Sequence, residues 1–102
     1  MDEVKVLGLQ DGVLKIALLG EIDLGNAEAF EQAVVSAYNE TPANVYFDCE
    51  NLAFIDSTTL GTFVKILKKV KQDGNKLTLA NLQSKIKKLF VICSLDTIME
   101  LV

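Results

Sequence analysis

The sequence contains no histidine, no tryptophan and no arginine, only one proline and only two cysteines. Without histidine there is no Ser-His-Asp or Cys-His nucleophilic site and no His-ligated metal. Without arginine, and with aromatics at 7 % of residues, the bidentate phosphate and base-stacking contacts of nucleic-acid binders are missing, and a net charge of −4 points the same way. Cys49 and Cys93 stand too far apart for a metal-ligand or redox spacing, and both read as small buried apolar residues without a disulfide. No apolar run approaches the length of a membrane span. The opening MDEVKVLGLQ lacks the basic and apolar regions of a signal peptide, so a cytoplasmic location is expected.

What is present is half hydrophobic and about a quarter charged across 102 residues, the composition of one globular domain with its own core. The charge is segregated. Met1 to Asp56 holds eleven of the fourteen acids and only Lys5 and Lys15, while Ser57 to Val102 holds eight lysines and three acids. Either the halves neutralise each other across the domain, or the lysine face meets an acidic partner.

Hydrophobic period and turn chemistry lay out the elements. Glu3 to Leu9 and Val13 to Leu19 flank Asp11-Gly12, a β-hairpin signal. A loop from Gly20 to Asn26 follows, then a helix over about Ala27 to Tyr38 with Phe30, Ala33, Val34, Ala37 and Tyr38 on one face and Asn26 as its cap. Asn44 to Cys49 reads as a buried strand. From Leu60 the apolar residues Leu60, Phe63, Val64, Leu67 and Val70 mark one face of a helix ending near Gln72, with Asp73-Gly74-Asn75 as a left-handed stop. Lys76 to Leu82 supplies another strand. Ser84 can cap a third helix facing inward through Ile86, Leu89, Phe90 and Cys93, and a strand over Thr97 to Leu101 closes the chain. The order ββαβαβαβ predicts a single α/β domain with a mainly parallel mixed sheet, opened by an N-terminal hairpin and carrying helices packed on it. In such sheets, sites gather beyond the carboxyl ends of strands, which places the Gly20 to Asn26 loop and the cluster Asp56, Ser57, Thr58 and Thr59 on one edge.

That cluster precedes the most periodic helix. One member must cap it, and the others sit where free N–H groups and the positive end of the helix dipole stabilise negative charge, a phosphate included. From physics alone, a first turn that merely ties backbone donors and a functional hydroxyl both remain open.

The residues FIDSTTLGTFV resemble the phosphorylation motif of the bacterial anti-sigma factor antagonists of the STAS domain family: Ile55, Asp56, Ser57, Leu60 and Gly61 match it. GEID at Gly20 to Asp23 and the turn Asp73-Gly74-Asn75-Lys76-Leu77 resemble two further family segments, in matching order over nearly all of residues 1–102. The resemblance implies an anti-anti-sigma factor that binds an anti-sigma factor serine kinase when unphosphorylated, freeing a sigma factor. It also implies that this partner, using ATP it binds itself, phosphorylates Ser57 and switches the protein off. It implies no cofactor and no metal, and a partner surface of Asp23, Leu24, Asn26, Asp56, Thr58, Thr59, Leu60 and Gly61. Thr59 stands where the family usually has Gly, which would put a β-branched side chain where a partner's loop approaches. Many members carry a further helix beyond the equivalent of Val102, leaving open what covers that side of the sheet.

The same resemblance allows a STAS scaffold or accessory subunit of a larger regulatory or transport complex, never phosphorylated. A response-regulator receiver phosphorylated on Asp48 is disfavoured by the opening hairpin and by the missing acidic pair after a first parallel strand. An enzyme is disfavoured by the absence of a base, a glycine-rich phosphate loop or a metal constellation.

Overall fold

Asp11 and Gly12 both adopt positive φ, 54° and 79°, the conformation a two-residue hairpin turn needs to match the twist of its strands. They join β1 (Val4–Gln10) to β2 (Val13–Ile22) in antiparallel register. In the computed structural model, which describes residues 1–102, α1 (Ala27–Glu40), β3 (Asn44–Ile55), α2 (Ser57–Gln72), β4 (Leu77–Ala80), α3 (Ser84–Ile92) and β5 (Glu100–Leu101) follow. The five strands lie in the order β1-β2-β3-β4-β5, and every pair after the hairpin is parallel. The chain order ββαβαβαβ and the mainly parallel mixed sheet opened by a hairpin are as predicted; the spatial order of the strands was not predicted.

Inward residues of β2, β3 and β4 (Leu14, Ile16, Leu18, Val45, Phe47, Leu77, Leu79) form one cluster with the inner faces of all three helices. Its centre is Phe63 on α2, whose ring stands 5.1 Å from Phe30 of α1, 5.6 Å from Phe47 of β3 and 5.4 Å from Phe90 of α3. Helix α2 is thus flanked on both sides, and its buried face is wider than the predicted stripe. Thr59, Thr62 and Ile66 join Leu60, Phe63, Leu67 and Val70, whereas Val64 is half-buried. At its end, Gly74 turns at φ 79°, Gly74 N–H donates to Lys71 O and Asn75 N–H to Val70 O, the paired bonds of a Schellman stop. Tyr38 of α1 clamps the same turn by donating its hydroxyl to Asp73 and accepting from Asn75.

Four expectations are corrected. Strand β3 runs to Ile55, not Cys49, because its pairing with β2 continues through two register shifts, and β2 itself extends to Ile22. The shifts stretch the buried spacing to Cys49, Leu52 and Ile55, three residues apart, which hides a strand from a period-two reading. The third helix is capped by Gln83 with no side-chain bond, and Ser84 is its first residue. Its inner face is only Ile86 and Phe90: Leu89 is exposed, and Cys93 is exposed because the helix stops at Ile92 and Ser94 turns at φ 58°. The last segment is a 3-10 turn over Leu95–Thr97 and then a two-residue β5, not one strand.

Cys49 is fully buried, and burial pushes its thiol up to about 12, aided by the neighbouring charge of Asp48, so it stays protonated and inert at neutral pH. The segregated charges meet in only one contact between the halves. The single ion pair is Lys65 with Glu31 at 4.0 Å, on the surface.

Candidate functional site

Strands β2 and β3 end side by side, Ile22 opposite Ile55, so the loop after β2 and the start of α2 share one edge. Within the loop, Asp23 N–H donates to Asn26 Oδ1 (2.8 Å), Gly25 N–H donates to Asp23 Oδ1 (2.9 Å) and Asn26 Nδ2 donates to Glu21 O (2.9 Å). Asn26 holds the N-cap position of α1 as expected, but its side chain braces the loop and makes no capping bond to the helix. This bracing leaves Leu24 projecting, 76 % exposed.

Asp56 joins the loop to the helix. Extended at φ −120°, it caps α2 by accepting the Thr59 N–H on Oδ1 (3.0 Å), and Oδ2 accepts the Leu24 N–H (2.9 Å) from across the edge. The Thr59 N–H, the largest influence, holds the Asp56 carboxyl below the usual aspartate range, outweighing its partial desolvation; the Leu24 N–H and the Thr59 hydroxyl add to it. A carboxylate so engaged is a poor proton acceptor.

A depressed folded pKa means that the contribution of Asp56 to stability is fully present at neutral pH and fades as pH falls through the ordinary aspartate value of about 4 and below. Urea denaturation from neutral pH to about pH 3 should show a shallower acid loss for Asp56→Asn than for the wild type. Parallel curves would contradict this role.

Thr59 lies fully buried, and its hydroxyl donates to the Ile22 carbonyl at the end of β2, with Asp56 Oδ1 as a second acceptor at 3.0 Å. One proton serves two acceptors, so the side chain is fixed inward. The expected obstruction at this position does not arise: the β-branched side chain fills the interior and bolts α2 to β2. Sequence reasoning placed Thr59 on the partner surface and missed this bolt, although its spacing to Phe63, Ile66 and Val70 puts it on the buried helix face. Leu60, 8 % exposed, likewise belongs to the core. Thr59→Val, which keeps the shape and removes the donor, should cost about 1–3 kcal/mol in chemical denaturation. A cost near zero would show that the bolt carries no weight.

The outward residues are Ser57, Thr58 and Gly61. The hydroxyls of Ser57 and Thr58 make no hydrogen bond within the chain, and their backbone N–H groups, in the first turn of α2, are left free by the Asp56 cap, which engages the Thr59 N–H. One turn on from Ser57, Gly61 faces open space, since an added Cβ would meet nothing within 4 Å. Beside them a groove runs between the first turns of α1 and α2, lined by Leu24, Glu28, Glu31, Thr58, Thr62 and Lys65 among others. The edge therefore offers two free hydroxyls on a flat, unobstructed helix start, with Leu24, Asp23 and Asp56 around them.

The STAS domain description matches residues 6–102. The chain belongs to the STAS domain family. The anti-sigma-B factor antagonist of Bacillus subtilis is 32 % identical to it over 88 residues, covering 86 % of this chain and 80 % of that protein. Two solved structures share the fold. An anti-sigma factor antagonist from Mycobacterium paratuberculosis superimposes with a TM-score of 0.83 at 23 % identity, covering 98 % of this chain and 86 % of the other. The Bacillus cell fate determinant SpoIIAA, in its phosphorylated form, superimposes at 0.75 with 19 % identity, covering 97 % and 90 %. The Bacillus subtilis and Mycobacterium paratuberculosis proteins are both named as antagonists of anti-sigma factors. The expected STAS architecture, hairpin first and parallel thereafter, is the one found.

Proposed function

We propose that this STAS domain, read as one unit over residues 1–102, is an anti-sigma factor antagonist switched by phosphorylation on Ser57. Unmodified, it binds an anti-sigma factor through Leu24, Asp23, Asn26, Asp56, Thr58 and Gly61, and so releases a sigma factor. The anti-sigma factor doubles as a serine kinase, transferring phosphate from the ATP it holds, and the complex dissociates. The observation that carries this reading is the state of Ser57: an exposed, unbonded hydroxyl at the first position of α2, on an edge held rigid by the Asp56 and Thr59 bonds.

The physics suits an interaction switch. A phosphate adds roughly 1.5 to 2 negative charges, which the start of a helix tolerates, so the fold persists while the surface changes sign. With Asp23 and Asp56 close by, that charge disfavours a partner complementary to the bare hydroxyl. No helix is long and apolar enough to cross a membrane, and we place the protein in the cytoplasm with its partner. In this role it needs no cofactor and touches no nucleic acid.

The test is competition. Added to a preformed complex of a sigma factor and its anti-sigma factor kinase, the unmodified chain should displace the sigma factor on size-exclusion chromatography. A complex that stays intact at saturating chain concentration would sink the proposal.

A further inference from the structure

Away from the Ser57 edge, the C-terminal half leaves a charge unanswered. Helix α2 carries four lysines and α3 three, with no acid on either, and only Lys65 finds a carboxylate. Helix α3 also carries apolar side chains on two sides. Its inner stripe, Ile86 and Phe90, is buried in the core. On the outside, Ser84, Lys87, Lys88, Val91 and Ile92 line a shallow groove, at the i, i+3, i+4, i+7, i+8 spacing of one helix face. Val91 is 47 % and Ile92 77 % exposed. Two aliphatic side chains at one end of a face whose other turns are lysine form a surface with a distinct chemistry: an apolar seat beside a fixed positive field.

That chemistry selects its occupant. A second copy docking by a two-fold axis on this stripe would set Lys87 and Lys88 against their own copies, a like-charge contact. Nucleic acid would find neither arginine nor an aromatic platform on the stripe. A membrane surface would gain two aliphatic side chains and no aromatic, too little apolar area to hold a helix already anchored through its other face. A helix with an apolar stripe and acidic flanks satisfies both features at once, laying its aliphatic side chains on Val91 and Ile92 and its carboxylates against Lys87 and Lys88. We infer that the outer face of α3 docks an acidic amphipathic helix of a protein partner. This surface shares no residue with the Ser57 edge and stands whether or not Ser57 is phosphorylated.

The experiment is an NMR titration of the full-length, nitrogen-labelled chain. The probe is a synthetic helical peptide of about 18 residues, long enough to form a helix, with leucines on one face and glutamates elsewhere. Amide shifts should change over Ser84 to Cys93 and not at Ser57. Both Ile92→Ser and the double substitution Lys87→Glu with Lys88→Glu should weaken binding about tenfold or more. These residues are exposed, so unchanged circular dichroism will show that the variants fold. Absence of shifts on α3 would overturn the inference. So would equal binding of a peptide with lysine in place of glutamate, sedimentation of the chain with phosphatidylserine–phosphatidylcholine vesicles through this face, or dimerisation through it.

Discussion

Ser57→Asp should weaken binding of the proposed anti-sigma factor partner on the order of a hundredfold, a loss of about 2.7 kcal/mol, while leaving the fold intact. The expectation follows from where the residue sits. Ser57 is exposed and unbonded, so the substitution breaks no contact within the chain. A carboxylate at the first helical position adds about 0.3–1 kcal/mol of favourable dipole interaction, so stability stays level or rises slightly. Its effect falls on the partner, which meets an added charge beside Asp56 and Asp23. Calorimetric titration gives the affinity, and a denaturation curve on the same sample separates lost recognition from lost fold. Unchanged affinity would mean that this edge is not the partner surface.

Phe63→Ala removes about 3–5 kcal/mol of folding stability. The ring joins both neighbouring helices and the central strand β3, touching Phe30, Phe47 and Phe90, and is fully buried. No neighbour can swing into the space without leaving its own place in the cluster. Because domains of this kind hold only about 5–15 kcal/mol in total, the variant should be partly unfolded at physiological temperature. A loss below about 1 kcal/mol in urea denaturation would show that the core collapses around the gap and that the ring cluster is not its keystone.

The parts of the fold that the sequence announced are those written in local chemistry. Asp11-Gly12 requires positive φ, Asp73-Gly74-Asn75 supplies a helix stop, and Phe63, Leu67 and Val70 recur at helical spacing. Each was legible because turn geometry and helix period act over a few residues. The end of β3 was not, because its continuation depends on register shifts against β2, a pairing between segments some thirty residues apart. Cys93 misled for a related reason. It continues the apolar period of α3, but the helix ends one residue earlier and the chain turns at Ser94.

At the site, the alternation of strands and helices placed Asp56 and Ser57 on one edge with the Gly20 to Asn26 loop, as found, and Asp56 proved to cap the helix and also to hold the opposite loop through Leu24 N–H. Thr59 was the informative error. Read as a third surface hydroxyl, it is an interior one, and its burial removes it from the set of accessible phosphate acceptors. Only Ser57 and Thr58 remain. Which faces of a helix are buried depends on what packs on each side, and α2, flanked by two helices, hides more of its circumference than an outer helix would.

That narrowing makes one measurement decisive: the intact mass of the wild-type chain and of Ser57→Ala after incubation with the anti-sigma factor kinase and ATP. The account predicts a single added phosphate on the wild type and none on the variant. Phosphate on both proteins would move the switch to Thr58. A kinase that binds the wild type and transfers nothing to it would contradict the switch and leave a scaffold.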